Sequence, residues 1–258
     1  METIQTRRKN GIHSGTLRTW GMLFAASGIV GRSILQLRLL GLGTITAQEL
    51  LEVMGSSNTA MIIVTLALVM QAMETCAVPI FTHLMVEGFQ HTSNYKNYLL
   101  RVLGVAVLSE IPYNLAMSGK LVDLSSRNPV FGIVLGLVVL YFYNMYAEKS
   151  GKSTAIKLLV TVAAIIWVSM LDITYGGSVV LIGAVLWAFR AKPMLRNVAG
   201  ASATILCGVS SVFFMVAPMS FLIIHNYNGE EGGNSRTVDY LAYPVILLAV
   251  ALAGLLFL

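Results

Sequence analysis

The stretch TAMIIVTLALVMQAMETCAVPIFTHLMVEGF, residues 59–89, decides the fold class. It is apolar on every face of any helix it forms, and it exceeds the roughly 20 residues that one helix needs to span hydrocarbon. A helix on a soluble core would alternate an apolar stripe with a charged face. Here the charged side chains are Glu74 and Glu87 alone. Pro79 removes a backbone donor inside the run, so one kinked span is expected rather than a straight one.

The same pattern recurs on both sides. Further spans are expected at Leu17–Leu40, interrupted by Arg32 and Arg38, and at Leu99–Met117, Pro129–Tyr146, Ala155–Leu171, Gly177–Phe189, Val198–Ile224 and Tyr240–Leu258. Together with Thr59–Phe89 these make about eight helices in one integral membrane domain, preceded by a polar segment over residues 1–16. Composition agrees: hydrophobic residues are 56% of the 258, charged residues 11%. A soluble domain carries about 25% charged residues, and the charges for a solvated shell are missing here. Between the first two spans, Thr44–Met54, which contains TAQELLEVM, reads as a capped amphipathic helix on the membrane surface. NYNGEEGGN (residues 226–234) reads as a glycine-rich exposed loop. Cys76 and Cys207 lie inside apolar runs and read as small buried hydrophobes, not a disulfide.

The net charge of +5 does not point to nucleic acid, because the basic residues fall in small groups between apolar runs. With the N-terminus in the cytoplasm, the inside carries Arg7, Arg8, Lys9, Arg18, Lys96, Arg101, Lys149, Lys152, Lys157, Arg190, Lys192 and Arg196. Arg32, Arg38, Lys120, Arg127 and Arg236 fall outside, so 12 of the 17 basic residues are cytoplasmic. That bias supports eight spans with both termini inside. A wrong span count is expected to erase it.

Ionisable residues inside spans are costly and mark candidate sites. His83, Glu87 and His91 recur every four residues, so a helix presents them as one polar stripe. A carboxylate beside an imidazole raises its basicity and fixes its orientation, which suits a general base acting on an amine or hydroxyl. Helix–helix hydrogen bonding is the structural alternative. Two histidines and a glutamate can ligate zinc, but HxxxExxxH is not a specific metal signature. Glu110, in SEIPYN, must be neutral or paired with a group from another helix. Glu74 is a further intramembrane carboxylate. Arg32 either snorkels outward or meets a buried carboxylate or an anionic substrate. DITYGG (residues 172–177) is an outer turn that needs glycine.

VPIFTHLMVEGFQHT (78–92), NYLLRV (97–102), LSEIPYNLA (108–116), RNPVF (127–131), DITYGG and YNGEEGG followed by TVDYLAYPV (237–245) together resemble the TraX family of conjugation-associated membrane acetyltransferases. The resemblance covers most of the chain from Val78 to Pro244. It implies transfer of an acetyl group from acetyl-CoA to an amine such as a pilin N-terminus, in the bacterial inner membrane. The matching positions are Glu87, Gly88, His91, Arg101, Glu110 and Asp172. With His83 they form the expected catalytic set: His83 as base, Glu87 orienting it, His91, Glu110 and Asp172 completing the site. Arg101 and Lys96 are expected to meet the acetyl-CoA. The chain departs from the family at MLFAASGIVGRS (22–33), where members carry an Asp-His pair, at Ile246, where members carry a histidine, and at His83 itself. Two other classes remain: a proton-coupled transporter using Glu74, Glu110 and His83, and a noncatalytic scaffold of a conjugation or secretion system.

Overall fold

The computed structural model describes residues 11–43, 47–148, 150–232 and 236–257. Arg7, Arg8, Lys9 and Lys149, and Thr44–Thr46 at the start of the expected surface helix, lie outside them. The described residues form an all-helical bundle. In chain order the helices are α1 (Ser14–Val30), α2 (Ala47–Ser56), α3 (Asn58–Glu74), α4 (Ala77–His91), α5 (Tyr95–Ser118), α6 (Val130–Met145), α7 (Gly151–Met170), α8 (Gly176–Ala188), α9 (Pro193–Leu206), α10 (Ser220–His225) and α11 (Arg236–Gly254). The helix α1 continues as a π-helix over Gly31–Leu39. Among the described residues four stretches are long and apolar enough to cross a membrane: Ser14–Leu39, Asn58–His91, Tyr95–Ser118 and Gly151–Met170.

Local chemistry sets the ends. Ser57, Asn94 and Ser150 are N-caps whose side chains accept from Ala60, Asn97 and Ser153 backbone N–H groups at 3.0–3.1 Å, satisfying donors that a helix start leaves open. Gly119 stops α5 in a left-handed conformation (φ 72°). The break between α3 and α4 falls at Thr75–Cys76, four residues before Pro79, whose missing N–H leaves the Thr75 carbonyl without its helical partner. The expected kink is therefore present.

The connections define two ends of the bundle. At the proximal end, Ile12 pairs with Tyr227, and the Ser14 N–H donates to the Glu230 carbonyl at 3.0 Å. Ser153 bonds Tyr146 there, joining α6 to α7. At the distal end, Arg127 pairs with Ile173, and the Arg38 guanidinium donates to the Leu115 carbonyl at 3.3 Å and lies against Gly254. In the distal loop, the Ser125 backbone N–H bonds Asp123 and holds its pKa down, to about 2.

This pattern corrects the expected topology. The stretch Val198–Ile224 does not cross from end to end. Helix α9 descends, a run of 3-10 turns follows over 207–219, and α10 climbs back, so that Asn197 and His225 meet at the proximal end (3.5 Å). Gly200 permits the hairpin, since a Cβ there would lie 2.5 Å from the Phe221 ring. Irregular backbone at depth needs internal partners. Thr75 Oγ1 donates to the Phe213 carbonyl (3.0 Å) and Cys76 Sγ to that of Val216 (3.6 Å), so the break in the α3–α4 span and the hairpin satisfy each other. Residues 226–232 therefore sit with residues 11–14, and α11 ends at Gly254 beside Arg38, at the opposite end from Ile12.

Candidate functional site

A cavity of about 520 Å³ runs through the bundle between α1, α4, α5, α6, α8 and α11. Its mouth is proximal, where Arg18, His91, Thr92, Asn94, Asn97, Arg101 and Glu231 border it. Its walls are mostly apolar, with Phe81, Met85, Val102 and Ile133. Its floor is Glu74, Tyr175 and Tyr243.

The floor is built from three distant segments. Arg32 Nη2 pairs with Glu74 Oε2 and donates to the Tyr175 hydroxyl at 2.9 Å, and that hydroxyl donates to Glu74 at 3.3 Å. Glu74 is buried, so the ion pair is what makes a carboxylate tolerable at this depth. Arg32 thus takes the second of its two expected roles, meeting a buried carboxylate. Arg32 Nε is buried without a partner. The π-helical turn that begins at Gly31 sets the position of Arg32; such turns recur at functional sites. Gly28, one turn earlier, faces the pair, and a Cβ there would overlap the Glu74 carboxylate. Tyr175 enters from the DITYGG turn with a left-handed backbone (φ 58°), as does Asp172 (φ 50°). Left-handed geometry in a tyrosine is strained and persists only where surroundings enforce it.

The mouth is built on α4. The four-residue stripe forms but divides among three environments. His91 is exposed and borders the cavity. Its Nδ1 bonds the Glu87 carbonyl at 2.9 Å and lies 3.7 Å from Glu87 Oε2. The other Glu87 oxygen accepts from Arg196 Nη1 of α9 at 3.0 Å. Arg196 is buried and tethers the hairpin to α4. His83, by contrast, is fully buried, stands edge-on to the Tyr227 ring at 5.5 Å, and has no hydrogen-bond partner on either ring nitrogen. It does not border the cavity. The stripe's first member meets the Tyr227 ring instead, and the expected convergence of all three residues on one cavity is not found.

The remaining expected site residues divide likewise. Arg101 borders the mouth. Lys96 is exposed and does not line the cavity. Glu110 faces away from it, accepting from Asn128 Nδ2 (2.6 Å) and the Asn128 N–H (3.3 Å), with Arg127 at 4.0 Å. Its expected partner from elsewhere in the bundle exists, but it is the distal loop before α6, and the contact fastens that loop to α5. Asp172 is exposed at the distal end, where its carbonyl accepts from the Arg127 N–H at 2.9 Å. The structure therefore does not gather Glu110 and Asp172 with His91. Arg18, Arg196, Tyr175 and Tyr243 were missed as site residues. Only Tyr175 had a signal, its place beside two glycines in a turn. Among the described residues no cluster of His, Cys, Asp and Glu is arranged to hold a metal ion.

A family model described as TraX protein matches residues 56–254. No curated protein and no solved structure matches the chain.

Proposed function

Because the chain belongs to the TraX family, we propose that it is a conjugation-associated acyltransferase that moves an acetyl group from acetyl-CoA to an amine, such as a pilin N-terminus, in the cavity between α1, α4 and α5. The observation that carries this reading is a deep apolar cavity whose mouth combines a histidine, backed by a carboxylate, with a rim of cationic and polar groups.

His91 replaces His83 as the base in this proposal. A carbonyl oxygen only accepts, so the bond from His91 to the Glu87 carbonyl requires the proton on Nδ1. Nε2 is then left with its lone pair, available to a proton donor. Glu87 stabilises the imidazolium once it forms, and Arg196 holds Glu87 in place. The amine nitrogen attacks the thioester carbonyl, Nε2 takes a proton from it, the new C–N bond forms, and the C–S bond breaks. The CoA thiolate leaves and recovers the proton from His91. Arg101 supplies positive charge for the carbonyl oxygen or the donor's phosphates.

The proximal end is cytoplasmic in this reading. Among the described residues it carries Arg18, Lys96, Arg101, Lys152, Lys157, Arg190, Lys192 and Arg196, against Arg32, Arg38, Lys120 and Arg127 at the distal end, and basic residues accumulate on the cytoplasmic side. The mouth then opens where acetyl-CoA is found. The inner membrane of a bacterium is the matching location.

The test is turnover by the purified protein in lipid nanodiscs, with radiolabelled acetyl-CoA and a peptide bearing a free N-terminus. Label is expected on the peptide. His91→Ala is expected to lower that rate by about 10²–10⁴, the usual contribution of a positioned general base, with unchanged detergent stability. Full activity in His91→Ala removes the base assigned here. Folded parent protein that transfers no label removes the acyltransferase reading and leaves transport or scaffolding.

A further inference from the structure

A second concavity, of about 400 Å³, lies on the outer flank of α4 at the proximal end. Four aromatic rings build it, from α4, α5, α6 and α8: Phe89, Tyr95, Tyr141 and Trp187. Tyr95 and Tyr141 lie stacked, with centroids 4.7 Å apart and 18° between planes. Phe89 stands edge-on to Tyr95 (5.6 Å) and to Trp187 (5.2 Å). The side-chain amides of Gln90 and Asn144 complete the rim. Aromatic residues are common at a membrane boundary, where single rings sit at headgroup level. That tendency explains each ring alone. It does not explain four rings converging on a concavity whose volume suits a small molecule.

Two features select the ligand. The first is charge. The Arg190 guanidinium lies 4.1 Å from the Trp187 ring centroid, anchored by its bond to the Trp187 carbonyl at 2.8 Å. Lys96, the residue after Tyr95, is exposed at the same end. An aromatic pocket flanked by cations disfavours a quaternary ammonium headgroup and favours a flat ring attached to anionic groups such as phosphates. The second is continuity. Thr92 borders both this concavity and the main cavity. The first turns of α5 lie between the two, with Tyr95 facing the aromatic pocket and Asn97, Tyr98 and Arg101 facing the cavity.

We propose that the pocket of Phe89, Tyr95, Tyr141 and Trp187 is the purine subsite of the acyl donor, holding the adenine of CoA while the acyl-bearing arm enters the adjoining cavity past Thr92. The inference rests on the acetyl-CoA reading above and adds where the nucleotide sits. The ring contributes binding by stacking, and Gln90 and Asn144 offer amide donors and acceptors to its edge.

The experiment uses the full chain in nanodiscs and the probe adenosine 3′,5′-bisphosphate, the nucleotide part of CoA without its arm. Binding is measured by titration calorimetry for the parent, Tyr141→Ala and Asn144→Ala. Tyr141 and Asn144 are both exposed, so these variants keep the core. Tyr141→Ala is expected to weaken the probe about tenfold, the order of one lost base–aromatic stack, and Asn144→Ala by less. In turnover, the KM for acetyl-CoA rises about tenfold in Tyr141→Ala, while the KM for S-acetyl-pantetheine, which lacks the nucleotide, stays where it is. The proposal is overturned if the parent does not bind the probe, if Tyr141→Ala binds it equally well, or if phosphocholine displaces it. Probe binding without acetyl transfer by the parent retains the purine subsite and removes the acyltransferase reading. Acetyl transfer with equal KM shifts for both donors does the reverse.

Discussion

The mouth and the floor of the cavity are each built on a glutamate–arginine pair, and the two pairs differ in every other respect. At the mouth, Glu87 and His91 come from consecutive turns of one helix, and Arg196 is added from the hairpin. His91 keeps 76% of its side-chain exposure. At the floor, Arg32 lies 42 positions from Glu74 and 143 from Tyr175, and Glu74 retains 9% side-chain exposure. A single helix suffices to set the spacing at the mouth. The floor exists only when α1, α3 and the turn before α8 are packed together. The mouth is thus the place where a reactive group can be changed without loss of fold, and the floor is the place where charge and fold are the same problem.

The largest effect that sharpens this contrast is at the floor. Glu74→Ala leaves the Arg32 guanidinium uncompensated at depth and is expected to cost about 3–5 kcal/mol of stability. Reversible unfolding in bicelles, read by steric trapping, measures it. A cost below that of a surface substitution removes the floor as a structural pair. Smaller, and of a different origin, is Gly28→Ala. The added Cβ overlaps the Glu74 carboxylate, and overpacking of this kind costs about 1–3 kcal/mol. The same unfolding measurement applies, and a neutral outcome means that Glu74 has room to withdraw from Gly28. The last test changes neither stability nor rate, and asks which side each end faces. With Cys76 and Cys207 buried, single cysteines replace Asn226, Lys152 and Leu121, all exposed. In intact cells an impermeant thiol reagent is expected to modify the cysteine at Leu121 and neither of the others. Joint labelling of the positions of Asn226 and Leu121 breaks the hairpin topology and restores a complete span there.

That topology shows what the sequence could and could not carry. Long apolar runs and the break before Pro79 were legible because each depends on neighbours in the chain. The span count was not. A hairpin of α9 and α10 has the same apolar length as one long crossing, and hydropathy records length without direction. The charge bias was expected to expose such an error, and it did not. After Arg196 only Arg236 remains among the basic residues, so a reversal at the hairpin moves almost no charge to the other side. What reveals the turn is the backbone pairing of Ile12 with Tyr227 and the side-chain contact of Asn197 with His225, between segments whose closeness no local pattern encodes.

The candidate site divides along the same line. Glu87, His91 and Arg101 lay within reach of sequence reasoning because period and position on two adjacent helices place them at one boundary. His83 shares that period, yet it packs against the Tyr227 ring and not against the cavity. Glu110 and Glu74 give the same signal, a carboxylate in an apolar run. One closes a loop through Asn128, and the other closes the cavity through Arg32 and Tyr175.

By itself, then, the sequence determined that this chain lies in a membrane as helices, where most of them start and stop, and which residue types stand at depth, because apolar length, capping and the cost of buried charge act over one or two turns. Only the tertiary structure decided the partner of each buried charge, the direction of the chain after Arg196, and which face of α4 meets the cavity. Those outcomes depend on contacts between residues far apart in the chain, and a carboxylate in hydrocarbon states that it needs a partner without stating which one.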